Sequence, residues 1–277
     1  MNILIFSLIL LAGAYVAGLL GSLTGLGGGV ILIPLLTLVF HVDIRYAIGV
    51  ALLASIANSS GAATAYIKEG ITNIRLGMFL EIATTAGAVG GALLAIFTPV
   101  NTIAILLGVV LIFSAAMTIR KKHEHAEQTG SKLSYLLKLN SSYPTPTGEV
   151  SYKLKNVAGG FGIMLIAGVL SGLLGIGSGA LKVLAMDSTM RIPFKVSTTT
   201  SNFMIGVTAA ASAVVYLQRG YIDPGMAFPV VLGVLGGAFT GARLLTFINA
   251  RTLRIIFCAA ITFVALEMIY NGLNHQF

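Results

Sequence analysis

The chain has 277 residues, 56% hydrophobic and 9% charged, with a mean hydropathy of +0.94 and a formal net charge of +8. That balance excludes a soluble globular domain. It also excludes reading the positive charge as a nucleic-acid footprint, because the basic residues lie mostly in links between apolar runs, where they report membrane orientation.

The first apolar segment covers residues 3–20. It lacks the basic start of a secretory signal and has a counterpart later in the chain, so it is expected to be retained. A glycine-rich break follows at 21–29, then a second segment at 30–40, short against the roughly 20 residues of a helical span. The two form either tilted spans or a hairpin that dips in and returns; both place Asn2 and His41 on one side. Segments three to five are expected at 46–67, 76–97 and 102–119, the last two parted by Pro99. The one long polar stretch then carries Arg120, Lys121, Lys122, Lys132, Lys138, Lys153 and Lys155, which the positive-inside rule assigns to the cytoplasm. Within it, 135–139 and 149–154 alternate apolar and polar residues around Pro144, Pro146 and Gly148, the pattern of a small β-hairpin; a solvated linker is the alternative. The second half repeats the layout at 157–174, a break at 175–179, then 180–186, 196–218, 224–247 and 254–270.

The break Gly25-Leu26-Gly27-Gly28-Gly29, with Pro34 behind it, recurs as Gly175-Ile176-Gly177-Ser178-Gly179, about 150 residues on. The same displacement pairs Ala17-Gly18 with Ala167-Gly168, Leu20 with Leu170 and Gly70 with Gly220; with a few residues deleted, 87–92 pairs with 233–238. Self-similarity of this kind marks a duplicated unit. The expected division is a first transmembrane repeat at 1–120, a cytoplasmic loop at 121–155 and a second transmembrane repeat at 156–277. With the loop inside, Lys68, Arg75, Arg191, Lys195, Arg243, Arg251 and Arg254 also fall inside. The uncharged link 98–101 and both termini fall outside, and Arg45 and Arg219 are exceptions. Each repeat then crosses an odd number of times. The fold class expected is an all-α polytopic membrane protein with two inverted-topology repeats of about five hydrophobic segments each and glycine-broken hairpins. Broken backbone at membrane depth is tolerated only where it is buried or lines a cavity, and paired breaks in two repeats point to a transporter's substrate site. Two tight turns at the membrane surface are the alternative. Ala83, Gly87 and Gly91, and likewise Gly233, Gly237 and Gly241, form small-xxx-small ladders suited to close helix packing.

Charge inside a membrane costs free energy, so each instance needs a reason. Lys182 follows the second break where the first repeat has Leu32, and a lysine beside helix termini makes an anion site. Snorkelling, or pairing with Asp187, is the rival reading. The run Ser197, Thr198, Thr199, Thr200, Ser201, Asn202 opens one segment; its counterpart holds Ser55, Asn58, Ser59, Ser60 and Thr64. Many neutral donors suit an oxyanion such as sulfite or a sulfonate. Any single hydroxyl can instead bond its own helix. Asn58 and Asn202 stand out, because an amide in lipid must find a partner. Carboxyl groups in a membrane interior take up protons readily, which makes Glu81 and Glu267 candidates for proton coupling. Both lie within two turns of an expected segment end, which favours an interfacial position; Arg243 marks a boundary in the same way. Enzyme motifs fail on inspection. The serine of 175–179 is not central to a G-x-S-x-G elbow, 25–30 lacks the third dinucleotide glycine and 175–180 fits only its looser form. No lysine completes a P-loop. Cys258 stands alone in an apolar run, and His41, His123, His125 and His275 offer no zinc pair.

The duplicated break, the stretch G-L-G-G-G-V-I-L-I-P at 25–34 and the chain length resemble the sulfite exporter TauE/SafE family over about residues 4–273. The resemblance implies a bacterial or archaeal cytoplasmic-membrane permease linked to sulfite, sulfoacetate and other organosulfonates, generally exported. By it, Gly25, Gly27, Gly28, Gly29 and Pro34 carry over as the first motif and Gly175, Gly177 and Gly179 as the second. The second copy departs from G-x-G-G-G with a downstream proline at Ser178, Lys182 and Leu184. The expected protein is a transporter, not an enzyme, driven by a proton or ion gradient. Its expected substrate site holds Lys182, Gly27, Gly28, Gly29, Gly177, Ser178, Gly179, Asn58, Ser59, Thr199, Thr200, Ser201 and Asn202, with Glu81 as the candidate coupling group. No catalytic residue, metal or cofactor is expected. The expected partners are a small anion and the lipid bilayer, not nucleic acid; homo-oligomerisation stays open. A permease for another anion such as a carboxylate, an importer, and a passive channel remain as alternatives.

Overall fold

The computed structural model describes residues 3–24, 27–68, 70–119, 130–145, 148–244 and 250–274. Asn2, Gly25, Arg120, Lys121, Lys122, His123, His125, Pro146, 245–249 and His275 lie outside the described residues, as do the side chains of Thr64, Lys68, Arg251 and Arg254. The first half contains α1 (Ile3–Thr24), α2 (Gly29–Pro34) running into a π-helical turn (Leu35–Val39), α3 (Ile44–Lys68), α4 (Ile74–Phe97) and α5 (Val100–Ile119). A short α6 (Lys132–Leu136) and the strands β1 (Ser141–Thr145) and β2 (Gly148–Tyr152) follow. The second half contains α7 (Val157–Leu174), α8 (Gly179–Leu184) with its π turn (Ala185–Thr189), α9 (Phe194–Gln218), α10 (Pro224–Leu244) and α11 (Ala250–Leu273).

The duplication is carried into the backbone at one fixed displacement. Gly29 and Gly179, Leu35 and Ala185, Ile44 and Phe194, and Ile74 and Pro224 open matching elements, each pair 150 residues apart. Two residues past each π turn stands a residue with positive φ, His41 at 53° and Arg191 at 58°. Val42 N–H reaches back to Leu36 O, and Ile192 N–H to Met186 O, at 3.0 Å each.

Packing exchanges partners between the halves. The helix α1 lies along α10, α7 lies along α4, α5 packs on α11, and α3 and α9 cross at the centre. The first two interfaces are one design used twice. A β-carbon at Gly87 or Gly91 would overlap backbone of Leu165 or Val169, and one at Gly237 or Gly241 would overlap Tyr15 or Leu19. Small residues are there so that backbones can touch. These contacts correct the sequence pairing. Gly87 answers to Gly237, not to Gly233, so no deletion is needed. The ladder repeats every four residues, and the sequence match slid by one helical turn.

Burial is inverted relative to a water-soluble protein. Ile5, Leu8, Val16, Ile82, Phe228 and Phe263 are exposed, whereas Ser55, Asn58, Lys182, Thr200, Ser201 and Asn202 are fully buried. Six described helices, α1, α3, α4, α7, α9 and α10, are long and apolar enough to cross a bilayer. An apolar outside and a polar interior are what lipid as solvent demands. The chain is an all-α polytopic membrane protein carrying one small hairpin.

That hairpin forms one end of the bundle. Its strands pair antiparallel, Ser141 with Tyr152 and Thr145 with Gly148. The first strand was expected at 135–139, but Tyr135 belongs to α6, capped by Ser131, and the alternation there is one face of a helical turn. Nor is the segment a solvated linker. Asn73 Nδ2 donates to Leu139 O (3.0 Å) and to the Tyr152 hydroxyl (2.9 Å), while Asn73 Oδ1 caps α4 at Leu76 N (3.0 Å). Burial pushes the Tyr152 phenol up to about 12, so it stays neutral and accepts that bond. Lys155 N–H bonds Met190 O (3.0 Å), and Arg75 Nη1 bonds Lys138 O (3.2 Å). We expect Tyr152→Phe to lower stability by about 1 kcal/mol and Asn73→Ala by more, since the second also removes the cap. Thermal unfolding of purified protein checks the order of the two.

At the opposite end of the bundle, Arg45 Nη2 donates to Thr98 O (3.3 Å), and the Tyr46 and Tyr221 rings meet edge to face at 5.6 Å. A groove of about 400 Å³ lies there between His41, Asp43, Val100 and Asn271. The loop after the first π turn (41–43) therefore sits at the end away from the hairpin, and its counterpart (191–193) sits beside the hairpin.

Candidate functional site

The two glycine breaks meet at the centre of the molecule. A β-carbon on Gly29 would stand 2.8 Å from Gly175 O and 2.9 Å from Ser55 Oγ, and one on Gly27 would stand 3.8 Å from Ile176 O. Gly27 and Gly177 take φ of +83° and +68°, conformations open to glycine at little cost, and the side chain of Ile205 lies against both. Ser178, at φ +45°, opens α8 with its hydroxyl buried and unpartnered.

Helix α9 runs past this centre with one polar stripe. Ser201 Oγ donates to Gly179 O (3.2 Å) and fixes the start of α8. Ile205 follows one turn on, then Thr208. Lys182, one turn into α8 and fully buried, donates from Nζ to Thr208 Oγ1 at 2.5 Å. The Thr208 hydroxyl lies 2.6 Å from Glu81 Oε1 on α4 and 2.9 Å from Met204 O. Thr85 adds a hydroxyl to Glu81 Oε1 at 3.2 Å. A buried cation and a buried carboxylate are thus joined through one hydroxyl. Neither could sit there alone without a large desolvation cost.

At the breaks, at the contact of α3 with α9 and on Glu81 itself, several buried polar atoms have no protein partner. They are Ser55 Oγ, both ends of the Asn58 and Asn202 amides, Ser178 Oγ and Glu81 Oε2. Most buried polar atoms in proteins are hydrogen-bonded, so such a set marks room for water or a ligand.

The sequence-predicted residues fall into three groups. Lys182, Gly27, Gly28, Gly29, Gly177, Ser178, Gly179 and Ser201 lie at the breaks. Asn58, Ser59 and Asn202 lie at the crossing of α3 and α9, where Ser59 Oγ donates to Asn202 O. Thr199 and Thr200 are engaged otherwise: Thr199 bonds Lys195 O and Val196 O within its own helix, and Thr200 Oγ1 accepts from Asn73 N (3.1 Å). Glu81 is a correction. It is 5% exposed rather than interfacial, while Glu267 is exposed. Lys182 reaches Thr208 and not Asp187. Arg243 is exposed and stacks on Phe239 at 4.1 Å. Thr208 was missed, although it stands 150 residues from Asn58 and so occupies the equivalent place.

A polytopic helical bundle whose buried centre holds two facing backbone breaks and one charged pair is a membrane transporter. The sequence model of the sulfite exporter TauE/SafE family matches residues 10–268, and the chain belongs to that family. It is 27% identical to the probable membrane transporter protein YunE of Bacillus subtilis (strain 168), covering 96% of this chain and 98% of that one. It is 26% identical to the probable membrane transporter protein YdhB of the same organism, over 83% and 86%. A probable membrane transporter protein of Xylella fastidiosa (strain 9a5c) is 24% identical over 94% of each. No solved structure matches the chain significantly.

Proposed function

We propose that the protein is a secondary transporter of small sulfur oxyanions, sulfite or an organosulfonate, working as an exporter in the cytoplasmic membrane. The observation that carries this reading is Lys182, fully buried beside two meeting backbone breaks and unpartnered amides. Lys182 supplies the positive charge. Backbone at Gly27, Gly28, Gly29, Gly177, Ser178 and Gly179 shapes the cradle, and Asn58, Asn202, Ser59 and Ser201 supply neutral polar groups around it. Thr199 and Thr200 support the frame.

The two transmembrane repeats, 1–120 and 156–277, move against each other as inverted units around this centre. Support comes from the matching loops 41–43 and 191–193, which lie at opposite ends of the bundle. The basic residues Arg75, Lys138, Lys155 and Arg191 gather at the hairpin end, which supports a cytoplasmic 121–155 loop and termini outside.

A second reading has its own support. Thr208, which accepts from Lys182, already donates to a carboxylate, that of Glu81, so a carboxylate substrate suits the same surroundings. Flux into proteoliposomes separates the two, with sulfite, taurine, sulfoacetate, sulfate and acetate offered in turn. Saturable flux of a sulfur compound supports the first reading; a response to acetate alone moves the assignment to carboxylates. Non-saturating flux would replace a carrier by a channel, and no flux of any anion would overturn both.

A further inference from the structure

The charged pair has a consequence for stoichiometry, which rests on Lys182 being the anion site. Lys182 and Glu81 are both buried, one cation against one carboxylate, and the centre is neutral when empty. An anion brought to Lys182 would stand beside an ionised Glu81 in a region of low dielectric. Two like charges in such a setting repel strongly. Some positive charge must enter with the anion. Among the described residues, the elements packed on α4 offer no second cation to do this. The helix α7 has no titratable side chain, and α9 carries only Lys195 in its exposed first turn and Tyr216 near its far end. On α4 itself, Arg75 is engaged at the hairpin. Asp187, on the π turn after α8, is acidic and cannot help.

We propose that the protein is an obligatory proton–anion cotransporter, in which Glu81 takes up one proton for each anion that binds at Lys182; the cycle is electroneutral, and export runs down the anion's own concentration gradient. The hydrogen bonds are arranged for that uptake. In the empty state the Thr208 hydroxyl accepts from Lys182 and donates to Glu81 Oε1. When Glu81 binds a proton at Oε2, the carboxyl becomes neutral while Oε1 goes on accepting from the Thr208 hydroxyl. Glu81 Oε2, buried without a partner, is the oxygen open to the arriving proton, and Thr85 continues to hold Oε1. Lys182 then keeps its neutral contact with Thr208 and directs its charge at the anion. No such device exists in the other repeat, where Leu32, Asn58 and Val231 occupy the places of Lys182, Thr208 and Glu81.

The test is calorimetric binding to the purified full-length protein between pH 6 and 8, in buffers of different ionisation enthalpy. Methanesulfonate and acetate are the probes, because neither changes charge in that range. The wild type should take up close to one proton per anion bound, and affinity should fall up to about tenfold per pH unit where Glu81 must be protonated on binding. At the acid end of that range, where Lys182 keeps its charge without a carboxylate partner, Glu81→Gln should bind with no proton uptake. Binding by the wild type with no proton uptake overturns the cotransport proposal and leaves the anion site standing. Persistent uptake in Glu81→Gln overturns the role of Glu81. If neither probe binds the wild type, the anion-site reading fails and this proposal with it. The wild-type measurement decides the matter even if the variant does not fold.

Discussion

Lys182→Gln is expected to reduce anion binding and transport by at least about a hundredfold, the loss of a charge-assisted contact worth roughly 3 kcal/mol. The side chain is fully buried and its ammonium bonds Thr208, so the charge sits at a fixed point inside the bundle. The effect on folding has a different source. Removing one partner of a buried ion pair strands the other, at a cost of about 3–5 kcal/mol unless the survivor is neutralised. Glu81 can be neutralised by a proton, so the single variant should fold and melt at a lower temperature. Adding Glu81→Gln should recover most of that stability without restoring transport. Separate recovery of the two properties is what distinguishes a functional charge from a structural one. Transport by Lys182→Gln at the wild-type level would remove Lys182 from the site.

The second large effect is expected at Gly91, with its neighbour as control. A β-carbon at Gly91 would overlap the Val169 carbonyl on α7, and a backbone carbonyl cannot rotate away. At Gly90 a β-carbon would meet nothing within 4 Å. Gly91→Ala should therefore cost at or above the top of the roughly 1–3 kcal/mol range seen on overpacking. Gly90→Ala should be neutral or slightly stabilising through helix propensity. The two variants differ by one position on one helix, so unfolding temperature in detergent compares them directly. Equal melting of the two would show that α4 and α7 are not in backbone contact.

The helical segments were legible because uncharged apolar runs have few other uses, and their ends fall within a few residues of α3, α4, α5 and α9. The duplication was legible because glycine breaks are scarce inside such runs. The π turns after α2 and α8 were not, since their hydrogen bonds involve backbone alone and no residue type announces them. Glu81 was misjudged for an identifiable reason. Its depth was taken from its distance to the end of a segment, but the first turn of α4 is roofed by the hairpin through Asn73, Leu139 and Tyr152. A residue seven positions into α4 is therefore interior. Thr208 was passed over because a lone hydroxyl in a membrane helix usually bonds its own backbone. It lies within reach of Met204 O, yet it also accepts from Lys182 and can donate to Glu81. Only its equivalence to Asn58 pointed to it.

The breaks, the π turns and the helix ladders recur at one displacement of 150 residues, yet the chemistry between them does not. Leu32 stands at the position that corresponds to Lys182, and Asn58 at the one that corresponds to Thr208. A symmetric centre would let a guest lie in either of two opposite directions. With a charge in one repeat and an amide in the other, the proposed site would give an elongated guest a fixed head and a fixed tail, whichever side of the membrane it came from.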